Sequence, residues 1–362
     1  MNFSGSYRSG DVSFLLKPLD LTDFVDIHDK EKLIQSGQRH YSEMLSPESL
    51  PSERYLHVFR QACKANMARM AQDCLTLAQL IAARRTGAIT LVSLARAGTP
   101  VGVVLKHLLT SMAREVSHYS VSIIRDRGID QVALEHILAQ GHAPESIVFI
   151  DGWTGKGVIS RELEAAIAEF NARRGTCIDG GLYVLSDLAG SAACAASCDD
   201  YLIPSSILNA TVSGLISRSI LNDSIGPGDF HGCVYYKQFE PQDQSQRFAD
   251  ELIAHALKLP GAQSAGTPAP MDKQLAAEVS RNYMQGALAL HGIVDINMVK
   301  PGIGEATRVL LRRSPRLLIV RDSDAVDVAH LVLLAQEKNI PVMVDPALPY
   351  HAVSLIRSAL DG

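Results

Sequence analysis

Paired metal-binding or redox cysteines are absent from this chain. Its six cysteines, Cys63, Cys74, Cys177, Cys194, Cys198 and Cys233, include no Cys-x-x-Cys pair. Zinc ribbons and dithiol redox motifs are therefore excluded, and reduced thiols are expected. Cys194 and Cys198 would share one face if residues 189–198 were helical, but the alanines around them suit a tightly packed helix rather than a metal site. The twelve histidines form no His-x-x-x-His or His-Glu-x-x-His pattern, so no protein-ligated metal is expected. No stretch approaches eighteen uncharged apolar residues, and the opening Met-Asn-Phe-Ser-Gly-Ser-Tyr-Arg lacks a signal-peptide core. No membrane association and a cytoplasmic location are expected. A large charge of either sign is also missing. Thirty-four Lys and Arg against 39 Asp and Glu leave −5, so nucleic-acid contact would have to come from a local patch. What is there is apolar substance: 47% hydrophobic residues over 362 positions, enough for a sizeable core and more than one domain.

The most informative stretch is Ile147 to Ser160, reading Ile-Val-Phe-Ile-Asp-Gly-Trp-Thr-Gly-Lys-Gly-Val-Ile-Ser. An apolar run of this kind suits a parallel strand covered on both faces, which places Asp151 at its carboxyl end, where open α/β sheets bind ligands. Thr154, Gly155, Lys156 and Gly157 follow, and two glycines before a helix start allow backbone amides to approach an anion. The spacing fits neither a P-loop nor a dinucleotide fingerprint: Gly152 and Gly155 stand too close together, and Gly157 occupies the Ser/Thr position. An ordinary strand-to-helix turn with a solvated Lys156 would use the same residues.

A second loop repeats the pattern. Ser52–Arg85 has helical apolar spacing, and Ala88–Leu94 reads as a buried strand. Arg96, Ala97, Gly98 and Thr99 then precede Pro100, which suits a first helical turn. Further on, Val116–Ile124 alternates as a strand and leads to Arg125-Asp126-Arg127.

These loops, in this order, resemble those of type I phosphoribosyltransferases. The resemblance implies an α/β fold, a phosphoribosyltransferase-like parallel sheet with helices on both faces. It implies Mg²⁺ bound with phosphoribosyl diphosphate (PRPP) and a nucleobase-like acceptor. Asp151 would hold ribose hydroxyls, and Thr154–Gly157 the 5′-phosphate. Arg96–Thr99, with Arg125 and Arg127 on a mobile hood loop, would hold pyrophosphate. Acceptor contacts would fall at Ser205–Thr211. The chain departs from that family at Gly152, which replaces the second of two paired acids.

Residues 258–271 are rich in Pro, Gly, Ala and Ser and read as a linker. On this reading 1–55 is an N-terminal wrap or hood, 56–257 the first domain and 272–362 a second, small α/β domain. The second domain resembles the Pelota/L7Ae-like RNA-binding fold through Gly302, Gly304, Glu305, Thr307 and Arg308. Lys300, Gly304, Glu305, Arg308, Arg312 and Arg313 are its implied contacts to structured RNA. Between Lys300 and Arg321 six basic residues face one acid, Glu305, a local surplus able to bind phosphates.

The domain order resembles that of a bacterial family encoded with tellurite-resistance stress genes and also labelled cysteine protease StiP. A stress enzyme that transfers phosphoribosyl from Mg²⁺-bound PRPP, or runs the reverse phosphorolysis, to make or break a nucleoside-type compound is the expectation. A cysteine protease is the alternative, with His231-Gly-Cys233 and Cys177 as candidate chemistry. A non-catalytic PRPP- or nucleotide-sensing RNA-binding protein is the non-enzymatic alternative.

Overall fold

A computed structural model describes residues 3–20, 24–264 and 273–357. The N-terminal unit contains β1 (Ser13–Leu15), β2 (Lys17–Pro18), α1 (Ile27–Gln35), α2 (Glu53–Arg84), β3 (Ile89–Ala95), α3 (Thr99–Ser111), β4 (Val116–Ile124) and β5 (Gly128–Ile129). It continues with α4 (Gln131–Ala139), β6 (Ile147–Thr154), α5 (Val158–Arg174), β7 (Leu182–Asp187), β8 (Cys194–Ser197), β9 (Gly232–Cys233) and α6 (Ser245–Ala256).

Its main sheet runs β1-β4-β3-β6-β7-β8, every pair parallel, with β5 folded back antiparallel on β4. The apolar runs of β3, β6 and β7 are buried on both faces because helices cover both. Leu91, Val148 and Leu185 pack with Met70, Leu77 and Ile81 of α2 and Leu105 of α3. Their neighbours Val92, Phe149 and Val184 point the other way, against Leu134 of α4 and Leu163 and Phe170 of α5. This two-sided cover makes all-parallel strands continuously apolar. Helix α2 begins where the Ser52 hydroxyl accepts the Tyr55 backbone N–H, as an N-cap should.

Three N-terminal expectations are corrected. Residues 1–55 are more than a wrap, because β1 forms the edge of the main sheet beside β4. Residues 125–130 are a hairpin turn rather than a hood loop: Asp126 and Gly128 take left-handed backbone angles, and both of their N–H groups donate to the Glu162 carboxylate on α5. Residues 189–198 are not a helix. Asp187 accepts the backbone N–H groups of Ala189 and Ala192, and the resulting turn sends the chain into strand β8.

The C-terminal unit contains α7 (Lys273–His291), β10 (Val299–Pro301), α8 (Ile303–Arg312), β11 (Pro315–Val320), α9 (Ala329–Glu337), β12 (Val342–Val344) and β13 (Ala352–Ile356). Its sheet order is β10-β13-β11-β12, with β11 and β12 parallel and β13 antiparallel to both its neighbours. The expected linker, 258–271, is described only to residue 264; the rest lies outside the described residues.

The two units share one core. Ile303, Ala306 and Leu310 of α8 and Leu331 of α9 belong to the same buried cluster as Leu56 and Phe59 of α2. Helix α8 therefore buries an apolar face against the N-terminal unit, and its cationic turn is held where the carboxyl ends of β3 and β6 open.

Candidate functional site at the junction of the two units

At those strand ends lies a cavity of about 480 Å³, within the size range of small-molecule sites. Asp151 and Trp153 rise into it from the end of β6, and Lys156 from the following loop. Arg96 comes from the end of β3, and Lys300, Glu305, Arg308 and Arg313 from the C-terminal unit.

The loop after β6 is fastened at both ends. The Gly157 N–H donates to Thr154 Oγ1 at 3.0 Å. Gly157 adopts φ 68°, and a Cβ there would lie 2.5 Å from Ser191 Cβ, so glycine is required. A Cβ on Gly155 would stand 3.0 Å from the Pro301 carbonyl, which shows how closely the C-terminal unit presses on this turn. Lys156 Nζ donates to the Ile296 carbonyl at 2.9 Å. Burial, reinforced by Lys300, pushes the Lys156 ammonium down to about 7. Asp151 Oδ1 accepts the Gly152 N–H at 2.8 Å, yet burial raises the carboxyl to about 6 against the pull of Arg308.

The loop after β3 serves differently from expectation. The Gly98 and Thr99 N–H groups donate to the Leu94 and Arg96 carbonyls, so they are committed within the turn. The Thr99 hydroxyl pairs with Ser120 at 2.8 Å. Arg96 binds Glu48 at 2.7 Å and the Ile216 carbonyl at 2.8 Å, and with Ala97 it lines an adjoining cavity. Arg125 and Arg127 part company. Arg125 lines the main cavity and lies over the Tyr41 ring at 5.6 Å, whereas Arg127 pairs with Glu43. Within Ser205–Thr211, Asn209 reaches the main cavity and Ser205 and Ser206 the adjoining one.

Two important residues were missed by sequence reasoning. Half-buried Arg218 donates through Nη2 to the carbonyls of Tyr41 and Met44, and desolvation lowers its guanidinium to about 10. Its Nη1 has no partner among the described residues. Trp153 carries the Arg308 guanidinium 4.4 Å from its ring centroid, and its buried Nε1 is likewise unpartnered. No local motif marks Arg218. Trp153, the chain's single tryptophan, was legible as an aromatic at a strand end.

The turn expected to meet RNA faces the N-terminal unit. A Cβ on Gly304 would fall 2.5 Å from the Trp153 ring. Glu305 pairs with Arg308 at 3.0 Å. Burial would raise the Glu305 carboxyl, but Arg308, Lys300 and Lys156 together outweigh it and hold the group low. Burial also lowers Lys300. Arg313 lines the cavity. Arg312 closes α8, and its side chain lies outside the described residues.

The candidate thiols lie elsewhere. Cys233 is sealed, and burial pushes its thiol up to about 12. His231 Nδ1 and the Ser122 hydroxyl share a hydrogen bond at 2.8 Å, and burial lowers the His231 pKa. This His-Gly-Cys stretch is therefore no nucleophile–base pair. Cys177 is exposed, and its Sγ lies 2.8 Å from Glu145, which raises the thiol pKa. Cys198 is also exposed, directly after the carboxyl end of β8. Among the described residues, no group of three or more His, Cys, Asp or Glu could hold a metal ion, and no helix is long and apolar enough to cross a membrane.

Residues 5–253 match the family described as tellurite-like stress resistance cysteine protease StiP, and residues 278–358 match the PELOTA RNA-binding domain. A protein named cysteine protease StiP, from Acinetobacter baylyi, is 43% identical over 372 aligned residues, covering 99% of this chain and 96% of the relative. These matches overturn the phosphoribosyltransferase expectation: the family and the relative carry a hydrolase name, and neither carries a transferase one.

Proposed function

The chain belongs to the StiP family of tellurite-like stress resistance cysteine proteases, and on that premise we propose that it is a thiol-dependent peptide hydrolase of a stress response. The observation that carries this reading is the likeness to the Acinetobacter relative along nearly the whole chain.

Cys198 is the proposed nucleophile. It is exposed at the carboxyl end of a parallel strand, whereas Cys233 is enclosed and Cys177 has a carboxylate against its sulfur, which disfavours the thiolate. Two residues on, Asp200 accepts the backbone N–H of His351 at 2.8 Å, and the His351 ring acts electrostatically on that carboxylate. His351 is the proposed base. It would take the thiol proton as sulfur attacks the peptide carbonyl and return it to the departing amine, after which water would release the acyl group. Among the described residues no cysteine or histidine lines the junction cavity, so we assign the cavity to an anionic part of the substrate or of an effector. The PELOTA match makes RNA a proposed partner of the C-terminal unit.

The test is hydrolysis of a fluorogenic casein substrate by wild-type protein, Cys198→Ser, Cys177→Ser and His351→Gln. Loss in Cys198→Ser and His351→Gln with retention in Cys177→Ser supports the assignment. Full activity of Cys198→Ser removes it.

A further inference from the structure

The junction cavity is unbalanced in charge. Among the described residues, eight lysines and arginines line it against three acids, Glu48, Asp151 and Glu305. Two of those acids are already engaged, Glu48 by Arg96 at 2.7 Å and Glu305 by Arg308 at 3.0 Å. The surplus converges on a half-open cavity rather than spreading over a flat surface, and drawing half-buried cations together is costly unless an anion joins them. The lowered pKa values of Lys156, Lys300 and Arg218 have burial as their first cause. Two buried donors, Arg218 Nη1 and Trp153 Nε1, have no partner among the described residues, which is uncommon unless a ligand or ordered water completes them.

The donors come from both units. Lys156 and Arg218 belong to the N-terminal unit, and Lys300, Arg308 and Arg313 to the C-terminal one. The N-terminus of α8 takes no part, because the Asp200 carboxylate already occupies it through the Ile303 N–H at 2.8 Å. Any anion is therefore held by side chains. A lone carboxylate supplies one charge, whereas a phosphate ester supplies more charge and several acceptor oxygens, which suits convergent Lys and Arg donors.

We infer that the cavity is a composite binding site for a phosphate ester, completed by Lys300 and Arg308 of the C-terminal unit and therefore absent from the N-terminal unit alone. The inference stands on the cavity and is independent of the thiol chemistry proposed above. Two sources carry this group: a free nucleotide, and the phosphorylated end of an RNA strand.

The chain's one tryptophan lines the site, so its emission can report occupancy. The full-length protein, Lys300→Met and Arg218→Met are titrated with ATP, with a 5′-phosphorylated RNA dodecamer and with the same dodecamer lacking the phosphate. Calorimetry on the same samples separates binding from a purely optical change, and circular dichroism checks that each variant is folded. The expected result is saturable binding of ATP or of the phosphorylated strand, weakened about tenfold or more in Lys300→Met, the half-buried and more conservative site. Saturation by ATP alone identifies a free ester; saturation by the phosphorylated strand alone identifies an RNA end. The inference is overturned if neither saturates, if the midpoint is unchanged in Lys300→Met, or if the unphosphorylated strand binds equally well.

Discussion

Asp200 and Ile303 are joined across the two units. The carboxylate following β8 accepts the first backbone N–H of α8 at 2.8 Å, and its second oxygen accepts the His351 N–H at 2.8 Å. A residue of one unit thus caps a helix of the other. Asp200→Ala leaves two enclosed N–H groups without acceptors and should cost about 2–4 kcal/mol. Asp200→Asn retains one acceptor oxygen and should cost less. Chemical denaturation of both variants measures the difference, and equal stability of Asp200→Ala and wild type would show that the cap contributes nothing.

The shared core predicts a single unfolding event. Leu77 of α2 and Leu310 of α8 are fully buried in one cluster, so neither unit can lose its helix without exposing the other's apolar face. Leu310→Ala should destabilise by about 2–5 kcal/mol. It should lower the midpoint seen by Trp153 emission and by far-ultraviolet circular dichroism together. Two separated transitions would contradict the shared core.

Gly304 is a contact rather than a flexible point. Its missing Cβ leaves room for the Trp153 ring, which a Cβ would approach at 2.5 Å. Gly304→Val should push the units apart locally and shift the tryptophan emission to longer wavelength, with little change in helix content. An unshifted spectrum would place the ring elsewhere.

The pH dependence of anion binding follows from two groups. Lys156 gains its charge as pH falls through about 7, and Asp151 loses its charge as pH falls through about 6. Both changes make the cavity more positive, so affinity for sulfate, whose own charge is constant over this range, should rise from pH 8 to pH 5.5. Lys156→Met should flatten the upper part of that curve. Stability runs by the same linkage. The native state binds the Asp151 proton more tightly than the unfolded chain does, so stability from that group is lost as pH rises from 3.8 to about 6 and changes no further above that. It releases the Lys156 proton more readily, so stability from that group falls as pH drops from 10.5 toward about 7.

The thiols should divide by access. Native-state alkylation should modify Cys198 quickly and Cys177 more slowly, since the carboxylate beside Cys177 disfavours its thiolate, and spare Cys74, Cys194 and Cys233, which are buried. Mass spectrometry after brief iodoacetamide treatment reads this directly, and rapid modification of Cys233 would contradict its enclosure.

What could be read beforehand was whatever one local pattern encodes. Helix α2 and strands β3 and β6 declare themselves because two-sided burial makes their sequences uniformly apolar or helically periodic. Asp151, Arg96 and the Thr154–Gly157 turn were legible for the same reason, since strand ends in a parallel sheet are where loops converge. Strands β10 and β13 were not, because each is short and gains its identity from pairing with a distant partner. Arg218 and Tyr41 were equally hidden: they meet across 177 positions, and no motif spans that gap. The transferase reading leaned on loop likeness although Gly152 stood where an acid was needed, and a loop that can hold an anion does not name the reaction around it. The turn at residues 302–308 was found in sequence but not its neighbour, since nothing local announces that Gly304 meets Trp153.

The pairing of Lys17 with Gly232 bears on how the molecule is made. β2 leaves the ribosome early and must wait until β9 has been translated before its ladder can form. At usual synthesis rates that interval is roughly 10–40 s. Through that time the first residues of the chain have no partner from β9, and the growing polypeptide must keep them from pairing wrongly. Closure of this part of the fold is therefore a late event, set by the pace of translation rather than by any local preference of the segment itself.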